Sequence, residues 1–307
     1  MSLRARTWHR SHTFSHSEFP AQRLAAERET TISLCLPARN EARTIGAILE
    51  RLLPLCELGA VDQLVVVDDS TDGTADIARR LGAEVFEQEQ LMPELGPVLG
   101  KGDAMWRALA ILHGELVCFL DADSESFGEH FACGLLGPLV CRPEISFVKG
   151  CYRRPFRVGD RVFPDGGGRV TELTARPLLN LFYPDLVGVE QPLAGEVAAR
   201  RELLESLPFL TGYGVDVALL LDAYEAVGLE GIAQVDLKVR QNAHQPLRDL
   251  GPMAFAVLRA VASRLEREGR LEGPLPLGFT APETSDLETR ATEQVERPPL
   301  ASLRAAA

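Results

Sequence analysis

The sequence lacks several features whose absence excludes whole classes of protein. No apolar run approaches the roughly 18–20 residues that a membrane-crossing helix needs, so a membrane protein is not expected. None of the six cysteines (35, 56, 118, 133, 141 and 151) forms a C-x-x-C pair, and Cys35 and Cys118 sit inside apolar runs. That argues against a disulfide framework or a zinc site and for buried thiols in a cytoplasmic protein. There is no excess of positive charge. The net charge is −12, which argues against a general duplex nucleic-acid binder but leaves room for a local cationic site. The Arg-, His- and Ser-rich stretch from Met1 to Phe19 has no apolar h-region, so no secretory signal is expected. Internal repeats are absent too. What remains is ordinary for a folded α/β protein. Its 307 residues, 46% hydrophobic and 25% charged, are enough for a sizeable core and set a prior of roughly two domains.

The hydrophobic pattern organises the chain. Residues 1–29 read as an irregular arm with a short helix near Ala21–Arg28. The runs TISLCLP (31–37), QLVVVDD (63–69) and ELVCFLDAD (115–123) are apolar and rich in strand formers. Between them, Ile45, Ile48, Leu49, Leu52 and Leu53 recur at helical spacing, Thr74–Leu81 and Lys101–His113 read as helices, and AEVF reads as a short strand. Strands apolar on both faces that alternate with helices predict a Rossmann-like, mainly parallel sheet covered on both sides. Ligands of such sheets bind beyond the carboxyl ends of the strands. All three runs deliver polar residues there: Pro37–Glu41, Asp68–Ser70, and Asp121 with Asp123. The second half reads as a strand at 145–150, a basic Gly-rich segment at 152–169, helices at 171–182 and 215–227, a strand running into a polar loop over 231–244 and a closing helix at 251–268. The Pro-, Glu- and Thr-rich stretch from 273 to 307 reads as a disordered tail. The division expected is therefore 1–29, 30–150, 151–272 and 273–307.

Several motifs carry candidate chemistry. The D-x-D at Asp121–Asp123 ends a strand beside two other carboxylate-bearing strand ends. That context favours a divalent cation holding a diphosphate over a simple helix cap. Asp72 and Gly73 read as a turn and helix cap, whereas Asp68 is placed against a nucleotide. Gly100-Lys101-Gly102 at a helix start suits a phosphate, or is an ordinary surface turn; it is not a Walker A loop. Of the arginines between 153 and 169, Arg169, beside Gly166–Gly168 and Thr171, is assigned to a small anion. Asp216 is either a catalytic carboxylate or a first-turn acid favoured by the helix dipole. His244, in a polar loop after a strand, gains weight as a further metal ligand.

At this level of detail the chain resembles a family-A (GT-A) nucleotide-sugar glycosyltransferase. LPARNEARTI, VVVDDSTDGT, GKGDAMWRAL and FLDAD occur in that fold's order and spacing. GGRVTELTARPLLN, YPDL, GVEQPLAGE, LPFLTGYGVDVALLLD and IAQVDLKVRQNAHQPLRDLG are similar to segments of the bacterial retaining glucosyl-3-phosphoglycerate and mannosyl-3-phosphoglycerate synthases, so the resemblance spans about residues 30–260. It implies a nucleotide pocket at Pro37, Ala38, Asn40, Glu41 and Asp68, with Gly100 and Lys101 near the donor and Asp121 on the nucleoside side. It implies a Mg²⁺ or Mn²⁺ site at Asp123 and His244, with Asn242 the other position that could align with the metal histidine. It further implies an acceptor segment at Gly168, Arg169 and Thr171, and an acidic group near the anomeric carbon at Asp216, where relatives commonly carry glutamate.

The activity implied is transfer of a hexose from GDP-mannose and/or UDP-glucose to the 2-hydroxyl of 3-phosphoglycerate with retention, in a cytoplasmic homodimer, Lys101 adding positive charge at the leaving diphosphate. Competing readings are an inverting GT-A enzyme acting on lipid or polysaccharide, a sugar nucleotidyltransferase, and a catalytically silent nucleotide-sugar binder. P-A-R-N-E in place of a G-x-G-T-R-type loop weakens the nucleotidyltransferase reading, and the intact D-x-D weakens the silent one.

Overall fold

The computed structural model describes residues 3–158, 161–164, 166–241, 245–273, 275, 278–283, 286–291 and 294–306. The chain opens with α1 (Leu3–Ser11), β1 (Thr13–Ser15) and α2 (Ala21–Glu27). The alternating core follows as β2 (Ile32–Ala38), α3 (Ile45–Glu57), β3 (Gln63–Asp68), α4 (Thr74–Leu81), β4 (Glu84–Glu87), α5 (Lys101–Ala108), β5 (Leu116–Phe119) and α6 (His130–Cys141). Then come β6 (Phe147–Arg153), the hairpin β7 (Phe156–Val158) and β8 (Arg161–Phe163), α7 (Arg176–Phe182), β9 (Val197–Arg200), α8 (Arg201–Ser206) and β10 (Phe209–Leu210). The chain continues with α9 (Val215–Val227), β11 (Ile232–Val239), α10 (Leu250–Arg267), β12 (Gly278–Glu283), β13 (Asp286–Ala291), β14 (Glu296–Arg297) and α11 (Leu300–Ala306).

Among the described residues, eight strands form one sheet in the order β1-β11-β6-β9-β5-β2-β3-β4. The pairings are parallel except at β9, which runs antiparallel to both neighbours, with Val197 opposite Phe119 and Lys149. Successive residues of the central strands face opposite layers. Val65, Val67, Val117 and Phe119 join one hydrophobic cluster with Trp106 and Leu219, while Leu64, Val66, Cys118 and Leu120 join another with Ile48, Leu52 and Leu135. Two buried faces leave no place for a polar stripe, which is why these strands read as continuous apolar runs. Helix α6 gives no helical period in the sequence for the same reason, being buried along nearly its whole length. Strands β6, β9 and β11 extend the sheet begun by β2, β3 and β5, so both halves of the chain build one layer.

Both ends of the chain contribute more order than composition suggests. In the arm, β1 lies parallel to β11 at the sheet edge, and buried Trp8 donates its indole N–H to the Ile232 carbonyl at 2.9 Å. Beyond residue 293, the chain packs back on the body. β14 pairs antiparallel with β10, Trp106 Nε1 donates to the Pro298 carbonyl at 2.9 Å, and Leu300 is buried. The physical reason is specific pairing. The carboxylate of Asp103 is fully buried and needs a cation, and Arg297 places Nε 2.8 Å from its Oδ1. Among the described residues, no helix is long and apolar enough to cross a membrane.

Candidate active site

The polar residues converge on one edge of the sheet. Parallel strands β2, β3, β5, β6 and β11 bring their carboxyl ends there, and antiparallel β9 brings its start, so Gly195 and Glu196 arrive beside Asp121 and Arg240. At the centre, Lys101 Nζ, from the first turn of α5, lies 2.6 Å from Asp121 Oδ1 and 3.2 Å from Asp216 Oδ1. Gly195 makes this close approach possible, since a Cβ there would collide with Lys101 Nζ and the Asp121 carboxylate. Arg240, just past β11, donates from Nη2 to Asp121 Oδ2 at 2.9 Å and also to Asp123, and its Nε lies 2.7 Å from Glu196 Oε1. Tyr152 donates its hydroxyl hydrogen to Glu196 Oε2 at 2.7 Å, and Arg154 Nη2 donates to the Tyr152 hydroxyl at 3.1 Å.

These contacts form a continuous polar chain. It runs from the loop at 166–168, where Gly167 N donates to the Arg154 carbonyl at 2.9 Å, through Arg154, Tyr152, Glu196 and Arg240 to the D-x-D. Sequence reasoning missed Glu196, Arg240, Lys149 and Tyr152. The available signal was charge inside otherwise apolar strands, as in FVKGCY and DLKVR.

Electrostatics follow from burial and proximity. Burial pushes the Asp121 carboxyl up, but the Lys101 and Arg240 cations outweigh it and hold it below the ordinary carboxylate range. Burial likewise opposes charge on Lys101, yet Asp121 and Asp216 win, so the ammonium stays protonated. Glu196 and Asp216 are both raised, chiefly by burial, with Arg240 opposing the shift in the first and Lys101 and Lys149 in the second. Glu41 is pushed up to about 6 by burial and then by the neighbouring Asp123.

The remaining residues singled out from the sequence are spread around this centre. Pro37 and Ala38 end β2. Asn40 adopts positive φ and accepts from Thr71 N through Oδ1, while Glu41 N donates to Thr74 Oγ1. Asp68 is buried, and both its oxygens accept from Ser70. Asp72 accepts from Thr74 N and Ala42 N, and Gly73 has the left-handed conformation of a helix cap. Gly100, at φ 83°, starts α5 against Gly212. Gly168, at φ 69°, precedes Arg169, whose guanidinium donates to the Gln245 carbonyl at 2.6 Å and stands over the Phe156 ring. Thr171 is buried at the start of a π-helical turn leading into α7. His244 and Asn242 lie outside the described residues.

The donor set suits a hard divalent cation. Asp123 presents its carboxylate at an accessible edge beside Asp121, and Glu41, pushed up chiefly by burial, also feels the negative charge of Asp123. Mg²⁺ is commonly held by one or two carboxylates with substrate phosphates and water completing the shell.

Residues 33–151 match the family described as Glycosyl transferase family 2. A glucosyl-3-phosphoglycerate synthase from Mycolicibacterium smegmatis is 41% identical over 301 residues, covering 97% of this chain and 98% of that protein. The crystal structure of mannosyl-3-phosphoglycerate synthase from Rubrobacter xylanophilus superposes with a TM-score of 0.90 at 46% identity, covering 97% of this chain and 98% of the other. That of glucosyl-3-phosphoglycerate synthase from Mycobacterium tuberculosis, in complex with Mn²⁺, UDP-glucose and phosphoglyceric acid, gives 0.84 at 41% identity, with 95% and 99% covered.

Proposed function

Because this chain belongs to the family of glucosyl- and mannosyl-3-phosphoglycerate synthases, glycosyltransferases of the GT-A fold, we propose that it moves a hexose from a nucleoside diphosphate sugar to the 2-hydroxyl of 3-phosphoglycerate. The configuration at the anomeric carbon is retained. The observation that carries the reading is the convergence of Lys101 and Arg240 on Asp121, with Asp216 on the same ammonium. This arrangement supplies two fixed cations where a diphosphate departs and one half-buried carboxylate for the positive charge that develops on the sugar.

The roles follow from that geometry. Pro37, Ala38, Asn40, Glu41 and Asp68 line the nucleotide side, with Asp121 toward the ribose, and Gly100 and Lys101 face the diphosphate. Asp123, with His244 or Asn242, would hold Mg²⁺ or Mn²⁺, which when bound supplies Lewis-acid charge to the diphosphate. Gly168, Arg169 and Thr171 take one anionic end of the acceptor, and the polar chain from Arg154 to Arg240 fixes that loop relative to the donor. Asp216 has both oxygens within 3.4 Å of Lys101 Nζ. A carboxylate so engaged is a poor nucleophile but still a negative charge, which suits front-face substitution with a donor phosphate oxygen as base better than a covalent intermediate. We place the enzyme in the cytoplasm as a homodimer.

The decisive experiment is a donor-by-acceptor matrix on the purified protein: UDP-glucose and GDP-mannose against 3-phosphoglycerate, a lipid acceptor and water, each with Mn²⁺ and with EDTA. Metal-dependent formation of hexosyl-3-phosphoglycerate, abolished by Asp123→Ala, is expected. Transfer only to lipid, or release of sugar only to water, overturns the reading.

A further inference from the structure

The chain carries three lysines, Lys101, Lys149 and Lys238, against 29 arginines. Two of the three stand at the candidate active site, and the proposed reaction uses only one. Lys149 sits in β6 with its side chain buried (2% of the residue exposed). Its ammonium makes no hydrogen bond to a carboxylate among the described residues. It donates instead to two backbone carbonyls, Ala194 at 2.7 Å and Asp216 at 3.4 Å.

Those carbonyls belong to opposite walls of the site. Ala194 closes the turn that carries Gly195 over the Lys101–Asp121 pair and delivers Glu196 to Arg240. Asp216 is in the first turn of α9, and its carboxylate is the one paired with Lys101. Among the described residues no backbone N–H donates to the Ala194 carbonyl, so Lys149 is what satisfies that buried acceptor. An arginine would not serve. A planar guanidinium suits bidentate partners, whereas a compact ammonium with three rotatable donors fits two carbonyls approached from different elements.

We infer that Lys149 is a positioning residue, a single buried ammonium that sets the separation between the Ala194–Glu196 turn and the first turn of α9, and thereby the placement of Asp216 and Glu196 about the sugar. The inference deepens the proposed transferase reading and rests on it for its kinetic consequence. The charged groups facing Lys149 are Asp216 on α9, Lys101 on α5, Glu196 at the start of β9 and Asp121 after β5. Burial is the largest influence and brings the ammonium down to about 8, despite Asp216. The tie therefore loses its charge just above neutral pH. Two opposite trends follow. The tie weakens as pH rises through about 8, because the neutral amine keeps two N–H donors but loses the charge that strengthens them, while the folding cost of burying the charge is relieved between about 8 and the ordinary 10.5, because there the unfolded chain binds the extra proton.

The test has two arms. In the first, hydrogen exchange compares the wild type with Lys149→Met. Faster exchange confined to residues 194–197 and 215–218 is expected, and unchanged or uniformly faster exchange overturns the tie whether or not the protein is a transferase. In the second, Lys149→Met is expected to lower kcat about 10²-fold with both KM values moving less than about twofold, and to abolish the alkaline limb near pH 8 in kcat/KM. A kcat within about threefold of wild type, or a loss that merely tracks the unfolded fraction, overturns the inference. If Lys149→Met does not fold, Lys149→Gln is read by the same criteria. A wild type that transfers no hexose sinks the functional reading alone, and the exchange arm still decides the tie. With ¹⁵N-labelled lysine, the three Nζ signals give the Lys149 titration directly; a midpoint above about 10, the ordinary lysine value, removes the pH argument.

Discussion

Lys101 and Asp216 lie 115 positions apart in the chain, yet one ammonium spans both oxygens of the other's carboxylate, at 3.2 and 3.4 Å. The same ammonium reaches Asp121 at 2.6 Å, so Lys101 bridges two acids, the second of which it shares with Arg240. Lys101→Gln is expected to lower kcat by about 10²–10³-fold, the scale seen when one preorganised electrostatic group is removed from an active site. Lys101→Arg is not expected to restore it, because the Gly195 turn lies directly over the site. Steady-state kinetics, with circular dichroism to confirm folding, check both variants.

Asp216→Asn keeps the size of the side chain and removes its charge. Transfer should slow without accumulation of a glycosyl-enzyme in either variant or wild type, as read by intact-mass spectrometry after a single turnover. A hexose adduct mapped to Asp216 would replace front-face substitution by double displacement.

Gly195→Ala tests the crowding directly. The added Cβ meets side-chain ends rather than backbone, so the fold should survive at a cost of about 1–3 kcal/mol in denaturant unfolding. The Lys101–Asp121 pair should not survive, and activity should fall about 10²-fold. Near-wild-type activity would show that the pair can move without consequence.

Glu41 links pH to the carboxylate cluster. Its folded value of about 6 lies above the ordinary 4.5, so between these the folded protein binds more protons than the unfolded chain. Its contribution to stability therefore falls as pH rises from about 4.5 to 6. Glu41→Gln should gain melting temperature over wild type across that window and hold the gain at neutral pH. Mn²⁺ should raise the wild-type melting temperature more at pH 7 than at pH 5. Parallel melting curves at every pH, with and without Mn²⁺, would contradict this account.

Arg297→Ala removes a cation from Asp103, whose carboxylate is fully buried and keeps Arg107 as its remaining cation and Leu99 N as a backbone donor. A loss of about 1–3 kcal/mol in unfolding free energy is expected, with kcat far less affected than in Lys101→Gln. Urea denaturation and kinetics on the same samples decide it.

How much of this was legible beforehand depends on the range of the interactions. TISLCLP, QLVVVDD and the apolar part of ELVCFLDAD announced buried parallel strands because burial on both faces is a local demand on composition. β5 nevertheless ends at Phe119, and the polar D-x-D continues as a loop. α9 was readable to the residue. α5 was read through His113 but ends at Ala108. The Pro- and Glu-rich C-terminal stretch offered no periodicity, and its docking depends on Trp106 and Asp103, nearly 200 positions earlier.

Local pattern was enough for the alternation of buried strands and helices, and with it the sheet edge where Asp68, Asp121 and Asp123 must emerge, since those follow from stretches of about ten or twenty residues. It could not say that β9 runs antiparallel and so brings Glu196 to that edge, that Arg240 closes on both aspartates, or that Lys149 spans two walls; the folded packing sets these. Strand direction and long-range charge pairing are settled by the packing of distant segments, on which local hydrophobic pattern is silent.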